Sequence, residues 1–393
     1  MKKKNKYLVF LAFLGCFSLF VSLFSVLSIN VCANVYASDN LSSININSSS
    51  KSCVVYEANS GRNLYQKNSD QKLAMASTTK IVTAITFLEN FNGDLDKRFT
   101  VDSRAVGIEG TSMYLKEGEE VTARELLYGL MLPSGNDAAL ALAYAICDEQ
   151  EKFCSLMHDV AQKAGALNSG FANPHGLDQE GHYTTALDLA KITAYALKND
   201  TFKDIVSTKK VIIEETNKYQ TRYFKNKNRL LFEFDNCIGV KTGFTDNAGR
   251  CLVTAVEQDD MLLICVVLNC PDMFEESERL LKLSQDNFDH YVIVDKSECV
   301  DSIFITNGNA SRARIYPLES FECVLSKEEY SNLKIEYQYE KEVEAPIKIQ
   351  DVMGKINVFC GNDLIFTTNL CSIDNVKSLK TKDLLNDILK NWR

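Results

Sequence analysis

The chain has 393 residues, 46% of them hydrophobic and 24% charged, which is ample for a large core and too long for one average domain. Lys and Arg number 43 against 52 Asp and Glu, a net charge of −9, so nothing in the charge balance points to nucleic acid as a partner.

The first residues, Met1-Lys2-Lys3-Lys4-Asn5-Lys6, are basic and precede an apolar stretch from Tyr7 to about Ile29, with small residues at Ala33, Ala37 and Ser38. This pattern predicts a signal peptide over residues 1–37 and an exported protein, with an uncleaved membrane anchor as the alternative. Without that leader the balance is 39 Lys and Arg against 52 Asp and Glu, a net charge of −13. Eleven cysteines remain, with no C-x-x-C pair, mostly inside apolar runs such as Leu262 to Val267, and they read as small buried hydrophobes.

Residues 38–50 are polar and of low complexity, a linker. A hairpin is expected where Cys53-Val54-Val55-Tyr56 and Asn63-Leu64-Tyr65 flank Asn59-Ser60-Gly61. From Ser77 to Leu88, Ile81, Ile85 and Leu88 keep helical spacing and put Ser77 and Lys80 on one face, with Ser77 at the helix N-terminus. Thr122-Ala123-Arg124-Glu125 is a capping box for the next helix, and Pro133 ends it before Ser134-Gly135-Asn136, after which Asp137 to Ala143 starts another. Thr184-Thr185 caps a further helix behind the loop Asn173-Pro174-His175-Gly176-Leu177.

From Gly239 the period becomes strand-like, with three sequential antiparallel strands over Val240–Thr245, Cys251–Glu257 and Met261–Leu268, then a helix at about Glu276–Tyr291. The fold class predicted for residues 51–293 is a mixed α/β (α+β) domain, an antiparallel sheet flanked by helices. Residues 294–376 read as a small all-β domain, with strands near 302–305, 313–316, 335–339, 355–359 and 364–367. The tail, 377–393, sets Leu384, Leu385, Ile388, Leu389 and Trp392 on one helical stripe, which suits either packing on its own domain or a membrane surface.

The chemistry rests on three motifs in fixed order: Ser77-Thr78-Thr79-Lys80, Ser134-Gly135-Asn136 and Lys241-Thr242-Gly243. S-x-x-K also occurs at Ser48–Lys51, Ser207–Lys210 and Ser331–Lys334, so the context of each motif, and not its letters, selects the set. A serine hydroxyl needs a base within reach, and Lys80, one turn away and crowded by a second cation at Lys241, suits that role. Ser134 and Asn136 would relay the proton and orient the substrate. Lys241 and Thr242 would meet a carboxylate, and the Thr242–Phe244 strand edge would carry an extended peptide. The backbone N–H groups of Ser77 and Phe244 would form an oxyanion hole. His175 and His182 flank one loop without H-E-x-x-H spacing or a third ligand, so they read as loop hydrogen-bonding groups; no metal or cofactor is expected.

These residues, with Pro133 to Ala139, Asn173 to Leu177 and Gly239 to Thr245, resemble the low-molecular-weight penicillin-binding proteins that are serine-type D-Ala-D-Ala carboxypeptidases. The resemblance implies a β-lactamase/DD-peptidase-like catalytic domain that trims the terminal D-alanine from peptidoglycan stem pentapeptides and is acylated by β-lactams. It also implies that the β domain and tail, or the leader, hold the enzyme at the outer face of the cytoplasmic membrane. Members often carry an arginine before the third motif to pair with the substrate carboxylate. Here Lys227 and Arg229 are the candidate anchors, with Arg222 nearby and no clean match.

Two alternatives stand beside this reading. A class A β-lactamase would need a glutamate in an E-x-x-L-N setting about 35 residues past Ser134, where this chain has Asn168-Ser169-Gly170-Phe171. An inactive wall-binding protein of the same fold is the other, against which the three motifs are intact.

Overall fold

The computed structural model describes residues 43–380 together with Leu41 and Lys382. The predicted leader and the apolar stripe of the tail lie outside those residues, and no helix among the described residues is long and apolar enough to cross a membrane.

The N-terminal part is built on a six-stranded sheet in the order β1-β3-β2-β10-β9-β8. Its strands are β1 (Ile44–Asn45), β2 (Ser52–Glu57), β3 (Arg62–Lys67), β8 (Cys237–Thr245), β9 (Gly249–Gln258) and β10 (Met261–Leu268). Both faces are covered. On β10, Ile264, Val266 and Leu268 enter the core shared with the helices that follow Ser77, while Leu263, Cys265 and Val267 enter a second core against a later helix. That double burial is why this strand reads as a continuous apolar run instead of an alternating one.

The first helical layer comprises α1 (Lys80–Asn90), α2 (Ala123–Met131), α3 (Asn136–Ile146), α4 (Gln150–Lys163), α5 (Ala186–Ala196) and α6 (Asp200–Ser207). The capping box at Thr122 forms as predicted, Thr122 Oγ1 accepting from Glu125 N and Glu125 accepting from Thr122 N. Thr185 caps α5 through Asp188 N. Short ribbons pair β4 (Arg98–Thr100) with β5 (Glu120–Thr122), and β6 (Lys210–Ile213) with β7 (Arg222–Lys225), ahead of the short helix α7 (Leu230–Glu233). The other face of the sheet carries α8 (Met273–Asn287).

Beyond α8 lie β11 (Phe288–Val294), β12 (Asp301–Thr306), β13 (Arg312–Pro317), β14 (Phe321–Ser326), the single turn α9 (Lys327–Ser331), β15 (Leu333–Tyr339), β16 (Glu342–Glu344), β17 (Val352–Cys360) and β18 (Asp363–Ser372). They form a six-stranded sheet, β15-β17-β18-β13-β12-β16, and the pair β11-β14 around a separate apolar core in which Phe321 stacks on Phe366. Arg62, 1% exposed, reaches from β3 to Val324 O and Glu329 and lies over the Phe288 ring, joining the two parts.

Three expectations shift. The helix predicted to run to Tyr291 ends at Asn287, because Phe288 turns into the core and pairs with Ser326 as the start of a strand. The segment read as a linker docks: Ile44 and Asn45 pair in parallel with Tyr65 and Gln66, and Lys67 donates to the carbonyls of Ser48 and Ser50. The sequence reading also passed over β11, β14 and β16, whose patterns are interrupted by charged residues facing solvent. Of the eleven described cysteines, seven are buried and all are free thiols.

Candidate active site

Ser77 sits in a 3-10 turn, Ala76–Thr79, that feeds α1. Thr78 Oγ1 donates to Met75 O (2.6 Å) and Thr79 Oγ1 to Ala76 O (2.8 Å), tightening the turn, and Ala76 takes a left-handed φ of 49°. His182 fixes it from behind: its Nδ1 accepts from Ala172 N, which leaves Nε2–H to face Thr79 Oγ1 at 2.8 Å. Burial pushes His182 down to about 4, so the ring stays neutral in this role.

Lys80, fully buried on the first turn of α1, places Nζ 2.9 Å from Ser77 Oγ, 2.7 Å from Asn136 Oδ1 and 2.6 Å from His175 O. Two of these neighbours are carbonyl oxygens that can only accept. A neutral amine has two N–H groups for them and a lone pair left for the Ser77 hydroxyl proton. Desolvation, then the ammoniums of Lys241 and Lys227, hold Lys80 well below the ordinary lysine range, with Asp137 opposing.

The second motif occupies the bend between α2 and α3. Asn136 N donates to Thr111 O (2.7 Å) and its amide Nδ2 to Glu109 O (2.6 Å), which aims Oδ1 at Lys80. The buried Asp137 carboxylate accepts from Ser112 Oγ and from the N–H groups of Met113, Leu115 and Ala138, fastening the loop that faces the serine. Ser134 takes a φ of 72°, and its Oγ is buried with no protein partner. An orphan hydroxyl costs about 1–3 kcal/mol and a left-handed serine about 1 kcal/mol more, strain of the kind that collects at sites of function.

The third motif is the edge strand β8. Lys241 is buried, donates to Thr242 O (3.0 Å), and is pushed to about 7 by burial and then by Lys227. Gly243 and Gly176 permit the convergence: a Cβ on Gly243 would lie 3.0 Å from Ser77 N, and one on Gly176, at φ 93°, would lie 2.0 Å from Ala76 O. The resulting cleft of about 400 Å³ brings together Ser77, Ser134, Asn136, Thr242, Gly243 and Phe244, with Lys227 on its wall; Lys80 and Lys241, both buried, are not among its lining residues.

Of the candidate anchors, Lys227 lines this cleft, whereas Arg229 does not; Arg229 pairs outside it with Glu233 and Glu275. Arg222 is committed as well, to Glu119 and to Met113 O, and its guanidinium braces the loop that Asp137 holds. The sequence reading missed the His175 carbonyl and the rim residues Leu177, Met273 and Phe274. A main-chain acceptor carries no letter of its own, although the Asn173-Pro174-His175-Gly176 turn marks where one is displayed. None of the residues lining the cleft is acidic.

A hydroxyl held against a desolvated amine, with a second serine and a cationic strand closing on it, defines a serine acyl-transfer enzyme. Residues 39–272 match the D-alanyl-D-alanine carboxypeptidase family of S11 peptidases, and residues 288–378 match the C-terminal domain of penicillin-binding protein 5. The chain belongs to that carboxypeptidase family. It is 33% identical to the D-alanyl-D-alanine carboxypeptidase DacC of Escherichia coli over 81% of this chain and 82% of that protein. It is 27% identical to the D-alanyl-D-alanine carboxypeptidase DacF of Bacillus subtilis over 87% and 90%. Among solved structures, penicillin-binding protein 5 of Haemophilus influenzae superposes with a TM-score of 0.70 at 27% identity, covering 85% of this chain and 99% of that one.

Proposed function

We propose that this enzyme removes the terminal D-alanine from peptidoglycan stem pentapeptides through an acyl-enzyme on Ser77, and that β-lactams acylate the same oxygen. Lys80 takes the Ser77 proton as Oγ attacks the carbonyl carbon. Ser134 passes a proton to the departing amine, and Asn136 holds both Lys80 and the peptide amide. The N–H groups of Ser77 and Phe244 receive the oxyanion, a donor of this kind being worth about 3 kcal/mol of barrier. Lys241, Thr242 and Lys227 receive the carboxylate of the leaving residue. The single observation that carries this is the fully buried Lys80 Nζ 2.9 Å from Ser77 Oγ with two carbonyl acceptors taking its N–H groups.

The absence of an acidic residue from the cleft lining favours a long-lived penicilloyl-enzyme over a β-lactamase. The basic, then apolar N-terminus favours export, and the tail stripe favours attachment to the outer face of the cytoplasmic membrane. Release of D-alanine from a stem pentapeptide tests the assignment: wild-type protein is expected to liberate one equivalent per peptide and Ser77→Ala none. Undiminished release by Ser77→Ala would remove Ser77 from the nucleophile's role.

A further inference from the structure

A second groove, of about 380 Å³, lies beside the cleft and is lined by Lys225, Asn226, Lys227, Arg229, Phe232 and Glu233. Lys227 lines both spaces, so the groove continues the wall on which the cleft ends. The groove gathers positive charge in a chain whose overall balance is acidic. Lys209 and Lys225 set their ammoniums 5.8 and 5.0 Å from the centroid of the same Phe232 ring, and Lys210 stands opposite Lys225 across the β6–β7 ribbon. Like charges placed in register are repulsive, and a folded chain keeps them together at a cost. Arg229 is matched by Glu233 and Glu275, but no carboxylate of the described residues lies within 4 Å of the ammoniums of Lys209, Lys225 or Lys227. The exposed faces of Ile212 and Tyr223, paired on the same ribbon, add apolar surface alongside these cations.

We propose that this groove is a binding site for carboxylate carried by the substrate on the side of the leaving residue, so that, among leaving residues larger than alanine, the enzyme favours those that carry a second carboxylate. The inference rests on the reading that places the leaving residue's own carboxylate at Thr242 and Lys227, since a further carboxylate beyond it enters the groove. Asn226, held by its donation to Val206 O and Thr208 O, keeps β7 in place under the cations. A peptide is preferred over a phosphate polymer because the groove shares Lys227 with the cleft that holds Ser77.

The test compares hydrolysis of matched peptides ending in D-Ala-D-Glu and D-Ala-D-Gln by wild-type protein and by Lys209→Ala/Lys225→Ala, with penicillin labelling of each protein as a control for Ser77. At low salt the wild type is expected to show a kcat/KM about tenfold higher for the acidic leaving group, fading as salt is raised. In the double variant the preference is expected to vanish while hydrolysis of the D-Gln peptide and penicillin labelling stay unchanged. No acidic preference in the wild type, or the same preference in the variant, would overturn the proposal while intact labelling leaves the role of Ser77 standing. Competition by inorganic polyphosphate that depends on Lys209 and Lys225 without any peptide preference would likewise overturn it, naming a phosphate polymer as the occupant. Loss of labelling in the wild type would instead strike the nucleophile assignment.

Discussion

The two parts of the molecule handle polar groups in opposite ways. Among the described residues, every buried charged side chain lies before Phe288, including Arg62, Lys80, Glu119, Asp137, Arg222 and Lys241, while the C-terminal β part buries only neutral polar groups such as Asn357, Thr368 and Ser372. Within the first part, most of this charge is compensated, Arg222 by Glu119 and Asp137 by four donors. Lys80 and Lys241 are the exceptions, since burial and neighbouring ammoniums, Lys241 and Lys227 on Lys80 and Lys227 on Lys241, both act against their charge. Uncompensated desolvation is concentrated around Ser77, where the proposed chemistry needs a base, and the β part carries no such cost.

The sharpest way to break this contrast is to alter one residue on each side of it. Replacing the proposed base with a chain of similar shape, Lys80→Met, is expected to slow acylation by penicillin by about 10³-fold or more, with an unchanged far-UV spectrum. Near-normal acylation would show that the proton goes elsewhere. Arg62→Ala strikes the junction instead. It removes the cation that pairs with Glu329, which keeps its bond from Ser326 N, and the donor to Val324 O, and is expected to cost about 3 kcal/mol in denaturant unfolding, while the acylation rate of the folded protein stays at the wild-type value. A matching fall in acylation would mean that the junction positions the site.

The buried thiols sharpen the comparison through pH. Burial pushes Cys154, Cys237, Cys251 and Cys270 up to about 11 and Cys323 up to about 12. A thiol whose folded value is raised contributes stability that is fully present below its unfolded value, about 8.5, and is lost as pH rises through the folded value. Lys241, Lys80 and Lys227 act in the opposite sense, their depressed values adding stability as pH rises toward the ordinary lysine range, but three amines are outnumbered by these five thiols together with Cys265, which burial also raises. The thermal midpoint is therefore expected to fall between about pH 8.5 and 11, and a flat profile would mean that these thiols are not desolvated. The smallest effect is that of Ser134→Ala, which removes a hydroxyl with no protein partner and is expected to raise stability by about 1 kcal/mol while slowing turnover.

Much of this site was legible in the sequence because its chemistry resides in side chains at short, fixed spacings. Ser77 and Lys80 share a helix face, and Pro133 forces the bend that displays Ser134 and Asn136. The strands β8 to β10 were visible from turn residues between apolar runs. What escaped was carried by backbone or by long-range pairing. The His175 carbonyl has no sequence signal beyond its turn, and Arg62 reads as a solvent-facing strand residue until Glu329, 267 positions away, is brought beside it. The docking of residues 44–50 was hidden because serine-rich sequence gives no period, even though Lys67 supplies the donor that fixes it. Arg229 and Lys227 looked equivalent by spacing, and only Glu233 and Glu275 distinguish them.

The measurement that bears most directly on the central claim is the rate of penicillin acylation as a function of pH, followed by intact-protein and peptide mass spectrometry. A single adduct on the peptide containing Ser77 is expected, forming rapidly at pH values well below the ordinary lysine range, because burial and the Lys241 and Lys227 ammoniums hold Lys80 well below that range. An adduct on another serine, or a rate that climbs only as pH approaches about 10.4, the value of an unperturbed lysine, would contradict the account.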